Sequence, residues 1–145
     1  MDIFDIKEDN RNKVYSYIRK NGLATKQDIA YGLQLSLPTV TNSLNYLAKQ
    51  GLISSKCKIP NKSFGRNPVA YSYIPDARVA IGLDVTRHHI KSVIIDLDGK
   101  VVQYRYKRQE YQRNDEYLEK LGEEVQKIIE IAQLDVTKIL GVVIA

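Results

Sequence analysis

Between Leu23 and Ile53 the chain reads LATKQDIAYGLQLSLPTVTNSLNYLAKQGLI, and its apolar positions leave little freedom of architecture. Ala30, Leu35, Val40, Leu44 and Leu47 fall at intervals that lock two short helices against each other at a steep angle. Thr25 is a good N-cap, Asp28 adds negative charge to the first turn, and Ile29, Ala30 and Leu33 face inward. Gly32, Gln34 and Ser36 punctuate the turn, and Ser36 caps a second helix expected over residues 37–50. Pro38 sits in the first turn of that helix, where a missing N–H costs nothing, and Gly51 closes it. Upstream, Val14, Tyr17 and Ile18 mark an amphipathic support helix expected over residues 8–21 and ended by Gly22.

In the second helix of the pair Val40, Leu44 and Leu47 form the buried stripe, which leaves Thr39, Thr41, Asn42, Asn45 and Tyr46 outside. Hydroxyl and amide side chains in that position donate to and accept from both base edges and phosphates. Leu52 and Ile53 begin a strand; Lys56, Lys58, Lys62 and Arg66 then precede an alternating run over residues 69–74. Two strands around a Gly- and Lys-containing loop make a wing. Arg66, beside Gly65 and before Asn67-Pro68, is placed to reach a narrow minor groove. The pattern is a winged helix-turn-helix, and the expected contacts with duplex DNA are Thr25, Lys26, Ser36, Pro38, Thr39, Thr41, Asn42, Asn45, Lys62 and Arg66.

A winged helix can also bind protein, and charged helix faces are usually just solvated. Charge distribution weighs between the readings. Residues 1–75 hold eleven Lys or Arg against five Asp or Glu, a net of +6, whereas residues 76–145 hold eleven against twelve, a net of −1. The basic excess lies wholly in the segment with the groove-reading pattern, as a phosphate-binding module requires.

The periodicity changes character near Pro75, so two units are expected, 1–75 and 76–145. No apolar run is long enough to span a bilayer, and the acidic start MDIFDIKEDN is unlike a secretory signal, which places the chain in the cytoplasm. The lone Cys57 excludes an internal disulfide framework and, without ligand neighbours, argues against zinc. In the second unit residues 79–85 and 89–96 read as strands. Asp98-Gly99 reads as a primed hairpin turn into a strand over 101–106. Asn114 or Asp115 caps a helix whose apolar stripe is Leu118, Leu121, Val125, Ile128, Ile129 and Ala132. The last run, 139–145, is apolar enough to be buried on both faces of a sheet. The order is βββαβ, and the fold class α+β.

Taken together, these segments resemble the N-terminal part of repressors of the ROK family. The resemblance rests on the Asn10-Arg11 helix start, Ser36 to Leu44 with Thr39-Val40-Thr41, the Gly51-Leu52-Ile53 exit, the Gly65-Arg66 wing, Ile81-Gly82-Leu83-Asp84-Val85 and Ile95-Asp96-Leu97-Asp98-Gly99. It covers nearly the whole chain, and the two blocks in this order make it specific. It implies a winged helix joined to part of an actin-like, ribonuclease H-type lobe, in a homo-oligomeric repressor of carbohydrate genes. Such repressors release operator DNA when a sugar or sugar phosphate binds. Family members continue well beyond a length of this kind, through the sugar-contacting residues, the kinases' catalytic aspartate and a Cys-rich zinc motif, so the chain is expected to be a fragment. No catalytic, cofactor or metal residue is assigned within it.

The family also contains sugar kinases, which makes a kinase with a basic N-terminal extension the alternative. Those kinases carry Gly-Gly-Thr-Lys after the first-strand aspartate, where glycines let backbone N–H groups approach ATP phosphates. Here Asp84 is followed, after Val85, by Thr86-Arg87-His88-His89. Side chains thus stand where a phosphate would sit, and the expectation is that the chain is not an enzyme.

Overall fold

A computed structural model describes residues 3–58 and 68–145. The chain divides into two compact units, Met1–Ile74 and Pro75–Ala145.

In the first unit α1 spans Ile3–Asn21, β1 Ala24–Thr25, α2 Lys26–Leu33, α3 Leu37–Lys49, β2 Ile53–Lys58 and β3 Val69–Tyr73. Helix α1 therefore starts more than a turn before the expected residue 8. It ends where Gly22 takes a φ of 74°, a left-handed conformation that costs glycine nothing. The three helices close on a core of Val14, Ile18, Ile29, Val40, Leu44 and Leu47, sealed by Ala24 and Ile53. The wing strands β2 and β3 pair antiparallel from Ile53↔Tyr73 to Lys58↔Val69, with an irregularity between Ser54 and Cys57. Strand β1, too short to leave a periodic signal, pairs with the other edge of β3 through Ala24↔Tyr71 and Thr25↔Ala70.

Gly32, expected as punctuation, lies inside α2. A Cβ there would stand 2.4 Å from Cε2 of Tyr17, so the glycine is what lets α1 and α2 approach. The helix is ended by Gln34, at φ 53° and ψ 39°, whose N–H reaches back to the last-turn carbonyls of Ala30 and Tyr31.

In the second unit β4 spans Val79–Val85, β5 His89–Asp96, β6 Val101–Arg108, α4 Asp115–Ile131 and β7 Ile139–Ile144, in sheet order β6-β5-β4-β7. The first three strands are antiparallel neighbours, and β7 joins parallel to β4 after the helical crossover. The order is βββαβ, as expected. Helix α4 covers one face of the sheet, setting Tyr117, Leu121 and Ile128 against Ile81, Leu83, Ile90 and Ile94.

Two expectations are corrected here. The β5–β6 turn is not primed: Gly99 alone has a positive φ, 77°, and its N–H donates to the Asp96 carbonyl at 3.0 Å. That is a type I turn followed by a glycine bulge, held by Oδ1 of Asp96, which accepts from the N–H groups of Asp98 and Lys100. On α4 Leu118 is exposed, and Tyr117 takes the buried place beside Leu121. Among the described residues β7 pairs with β4 alone, and its Leu140, Val142, Val143 and Ile144 are exposed.

Behind α4 the sequence hides one charged residue. Glu124 is 3 % exposed on the helix face turned to the sheet, where Nε of Arg105 lies 2.9 Å from Oε2 and Nζ of Lys107 lies 2.8 Å from Oε1. Arg105 and Lys107 alternate along β6 with the exposed Tyr104 and Tyr106, so the strand shows its cations to the helix and its aromatics to the other face.

Candidate nucleic-acid interface

Helix α3 begins at Ser36, whose extended backbone and side chain cap it: Oγ accepts from the Thr39 N–H at 3.3 Å and lies 2.8 Å from the Thr39 hydroxyl. Pro38 fits the first turn, where no helical partner awaits its nitrogen. Val40, Ser43, Leu44 and Leu47 are buried. With 3.6 residues per turn, the opposite stripe holds Pro38, Thr41, Asn42, Asn45 and Lys49. Of these only Thr41 is half-buried and the others are exposed. The expected groove-reading face therefore stands clear of the unit's own interior, with two amides at its centre and a lysine at its end. Lys49 was absent from the expected contacts, although its place four residues after Asn45 on the same stripe was available in the sequence.

Helix α2 supports this arrangement. Thr25 forms a full capping box: its hydroxyl donates to Oδ2 of Asp28 at 2.7 Å and accepts from the Asp28 N–H, while its own N–H donates to that carboxylate at 2.9 Å. These bonds hold the Asp28 carboxyl below its ordinary value, the side-chain bond from Thr25 contributing most. Thr25 is buried, so its hydroxyl is committed to the cap, while Lys26 beside it is half-buried. Lys62 and Arg66 lie outside the described residues.

A polar cleft of about 380 Å³ opens between α1 and α3, lined by Lys7, Asn10, Arg11, Thr39, Asn42 and Ser43. The guanidinium carbon of Arg11 lies 3.6 Å from the centroid of the Tyr46 ring. The α1 residues of this cleft lie outside the expected contacts, because the apolar stripe of the support helix carries no sign of them.

In the second unit the turn after Asp84 is closed by protein groups. The Thr86 N–H donates to the His89 carbonyl at 2.9 Å, and the Thr86 hydroxyl accepts from the His89 N–H at 3.2 Å. Lys91 holds the Asp84 carboxylate at 3.3 Å, and the His89 ring lies against Tyr106 with centroids 5.3 Å apart. No group of His, Cys, Asp or Glu among the described residues is arranged to hold a metal ion, and no helix among them is long and apolar enough to cross a membrane.

Comparisons with known proteins point the same way as the resemblance in the sequence. No family model matches the chain. The chain is 29 % identical over 111 residues to the xylose repressor of Bacillus subtilis (strain 168), an alignment that takes in 73 % of the chain and 29 % of the repressor. Its fold matches the crystal structure of a ROK family transcriptional regulator, a homologue of the E. coli MLC protein. The TM-score is 0.71 at 21 % identity, covering 96 % of this chain and 35 % of that one. The chain spans about a third of the length of these relatives, both of them transcriptional regulators. The resemblance to ROK-family repressors is borne out in sequence and in fold.

Proposed function

We propose that the chain binds duplex DNA in a sequence-specific manner through α3 and represses transcription of carbohydrate-related genes, with a sugar or sugar phosphate as the releasing effector. The observation that carries the reading is the stripe of exposed Pro38, Asn42, Asn45 and Lys49, with Thr41 half-buried beside them, opposite a wholly buried one. Asn42 and Asn45 present the amide groups that pair bidentately with adenine in the major groove. The xylose repressor's name supports the repressor and carbohydrate parts.

Within this proposal Thr39 and Ser36 act at the helix start, where the backbone approaches a phosphate, and Lys26 does the same at the start of α2, whereas Thr25, expected beside it, is withdrawn into its cap. Lys62 and Arg66 act from the wing. The protein works in the cytoplasm as a homodimer, because one recognition helix reads only a few base pairs and a two-fold pair doubles the site.

The test is selection of bound duplexes from a random pool by the wild-type chain and by Asn42→Ala. The wild type enriches a defined half-site, and the variant loses preference at one or two positions of it while keeping bulk affinity. Enrichment of no sequence by the wild type would contradict the reading.

A further inference from the structure

The core-facing stripe of α1 runs Val14 and Ile18 at its buried end. One and two turns earlier the same stripe carries Arg11, with Asn10 beside it, and then Lys7, since positions 7, 11, 14 and 18 follow helical spacing. Apolar side chains at those places would simply extend the contact with α3. Instead the stripe turns cationic, and the two helices part around the cleft lined by Lys7, Asn10, Arg11, Thr39, Asn42 and Ser43. That lining holds two cations, two amides and two hydroxyls, and no carboxylate among the described residues. On α1 the Asp9 carboxylate is engaged with Lys13 on another side of the helix.

Arg11 is also held in place. Its guanidinium lies over the face of Tyr46, four residues beyond Asn42 on α3 and so on the same flank of that helix. Stacking on an aromatic face fixes the plane of the guanidinium while leaving its N–H fork free at the edges, the geometry that meets the oxygens of a phosphodiester in pairs. Asn42 belongs both to the cleft and to the exposed stripe of α3, so an anion bound in the cleft would be adjacent to the bases that the stripe reads.

We infer that this cleft is a phosphodiester site: Lys7 and Arg11 grip a backbone phosphate of the duplex at the edge of the groove entered by α3, with Tyr46 as the positioning residue for Arg11. The inference rests on the proposed DNA binding and deepens it. Such a contact carries no sequence information but sets the depth and register at which Asn42 and Asn45 meet base edges.

The experiment is fluorescence anisotropy of a labelled random-sequence duplex with the full chain over a series of salt concentrations. Each phosphate contact contributes about −0.9 to the slope of log K against log salt. Lys7→Ala and Arg11→Ala should each make the slope shallower by about 0.9, and the double variant by about twice that. Arg11→Lys, which keeps the charge, should restore the slope, while Tyr46→Leu should weaken binding several-fold without changing it and Tyr46→Phe should do neither. Lys127→Ala, on the exposed side of α4, should leave both quantities as they are. Because Lys7 is exposed, its variant reports on the cleft without disturbing the core. Wild-type slope in the Lys7/Arg11 double variant would overturn the cleft and leave the DNA-binding reading standing. Absence of wild-type binding at low salt would overturn both.

Discussion

Replacing Glu124 by Gln changes one atom type at the most consequential buried charge among the described residues, and the structure sets the size of the effect. The carboxylate is 3 % exposed and receives two charge-assisted hydrogen bonds, from Arg105 at 2.9 Å and Lys107 at 2.8 Å. Removing one member of a buried ion pair costs about 3–5 kcal/mol where the remaining charge is trapped. Here the side chains of Arg105 and Lys107 are 30 % and 31 % exposed, so both cations keep partial access to water. An amide oxygen still accepts from one of them, but its NH2 is turned toward the other. The cost of Glu124→Gln is then about 2 kcal/mol, and Glu124→Ala, which leaves both cations without a partner, costs about 3 kcal/mol.

For a domain of this size 2 kcal/mol lowers the melting temperature by on the order of 10 °C, which scanning calorimetry resolves readily. The pH dependence follows from the same geometry. Burial pushes the Glu124 carboxyl up, but the bonds and charges of Arg105 and Lys107 outweigh it and bring the carboxyl below its ordinary 4.5. A carboxyl depressed on folding stabilises the native state above its unfolded value, and the contribution is lost as pH falls from about 4.5 through the folded value. The gap between wild type and Glu124→Gln should therefore be full at pH 7 and narrow steadily below pH 4.5. A gap under about 0.5 kcal/mol at pH 7, the range of an exposed pair, or one that does not narrow in acid, would refute the reasoning.

Thr25→Ala removes the hydroxyl from the capping box of α2 and should cost about 1 kcal/mol in urea unfolding; the Asp28 carboxyl should then titrate closer to its ordinary value in NMR, since its main partner is gone. Gln34→Gly relieves a non-glycine residue in the left-handed region at φ 53° and should stabilise the first unit by up to about 1 kcal/mol, read from the same unfolding curves. Asn42→Ala should lower affinity for a selected site by about 1–3 kcal/mol while changing affinity for random duplex little, as competitive binding would reveal.

What could be read from the sequence was whatever is enforced locally. Thr25, Ser36 and Asn114 sit at helix starts because their side chains satisfy amides three residues on, and each does so in the structure. The stripe Val40, Leu44 and Leu47 likewise needs only helical spacing to be recognised. The misses are cases in which a distant partner or a competing side chain decides. Asp98-Gly99 has the composition of a primed turn, but the Asp96 carboxylate captures two amides and favours a type I turn with a glycine bulge. Gly32 looks like a helix stop until α1 brings the Tyr17 ring against it. The phase of the α4 stripe passes through Tyr117 because Tyr111 packs edge-on against that ring at 5.2 Å, a contact from outside the helix. Glu124 interrupts an apolar stripe, and only the pairing of β6 beneath it shows why.

The interface shows the same division. Asn42 and Asn45 follow from helical phase, whereas the cleft of Lys7, Asn10 and Arg11 exists only because α1 and α3 pack together over Val14 and Val40.

The account stands or falls on whether the exposed stripe of α3 is what meets DNA. An NMR titration of the isotope-labelled chain with a duplex selected by it addresses this directly. The account predicts that the side-chain amide signals of Asn42 and Asn45 and the backbone amides of residues 39–46 shift most, while those of residues 139–144 in β7 stay in place. Perturbations centred on the second unit, or an α3 left unshifted at saturation, would contradict it.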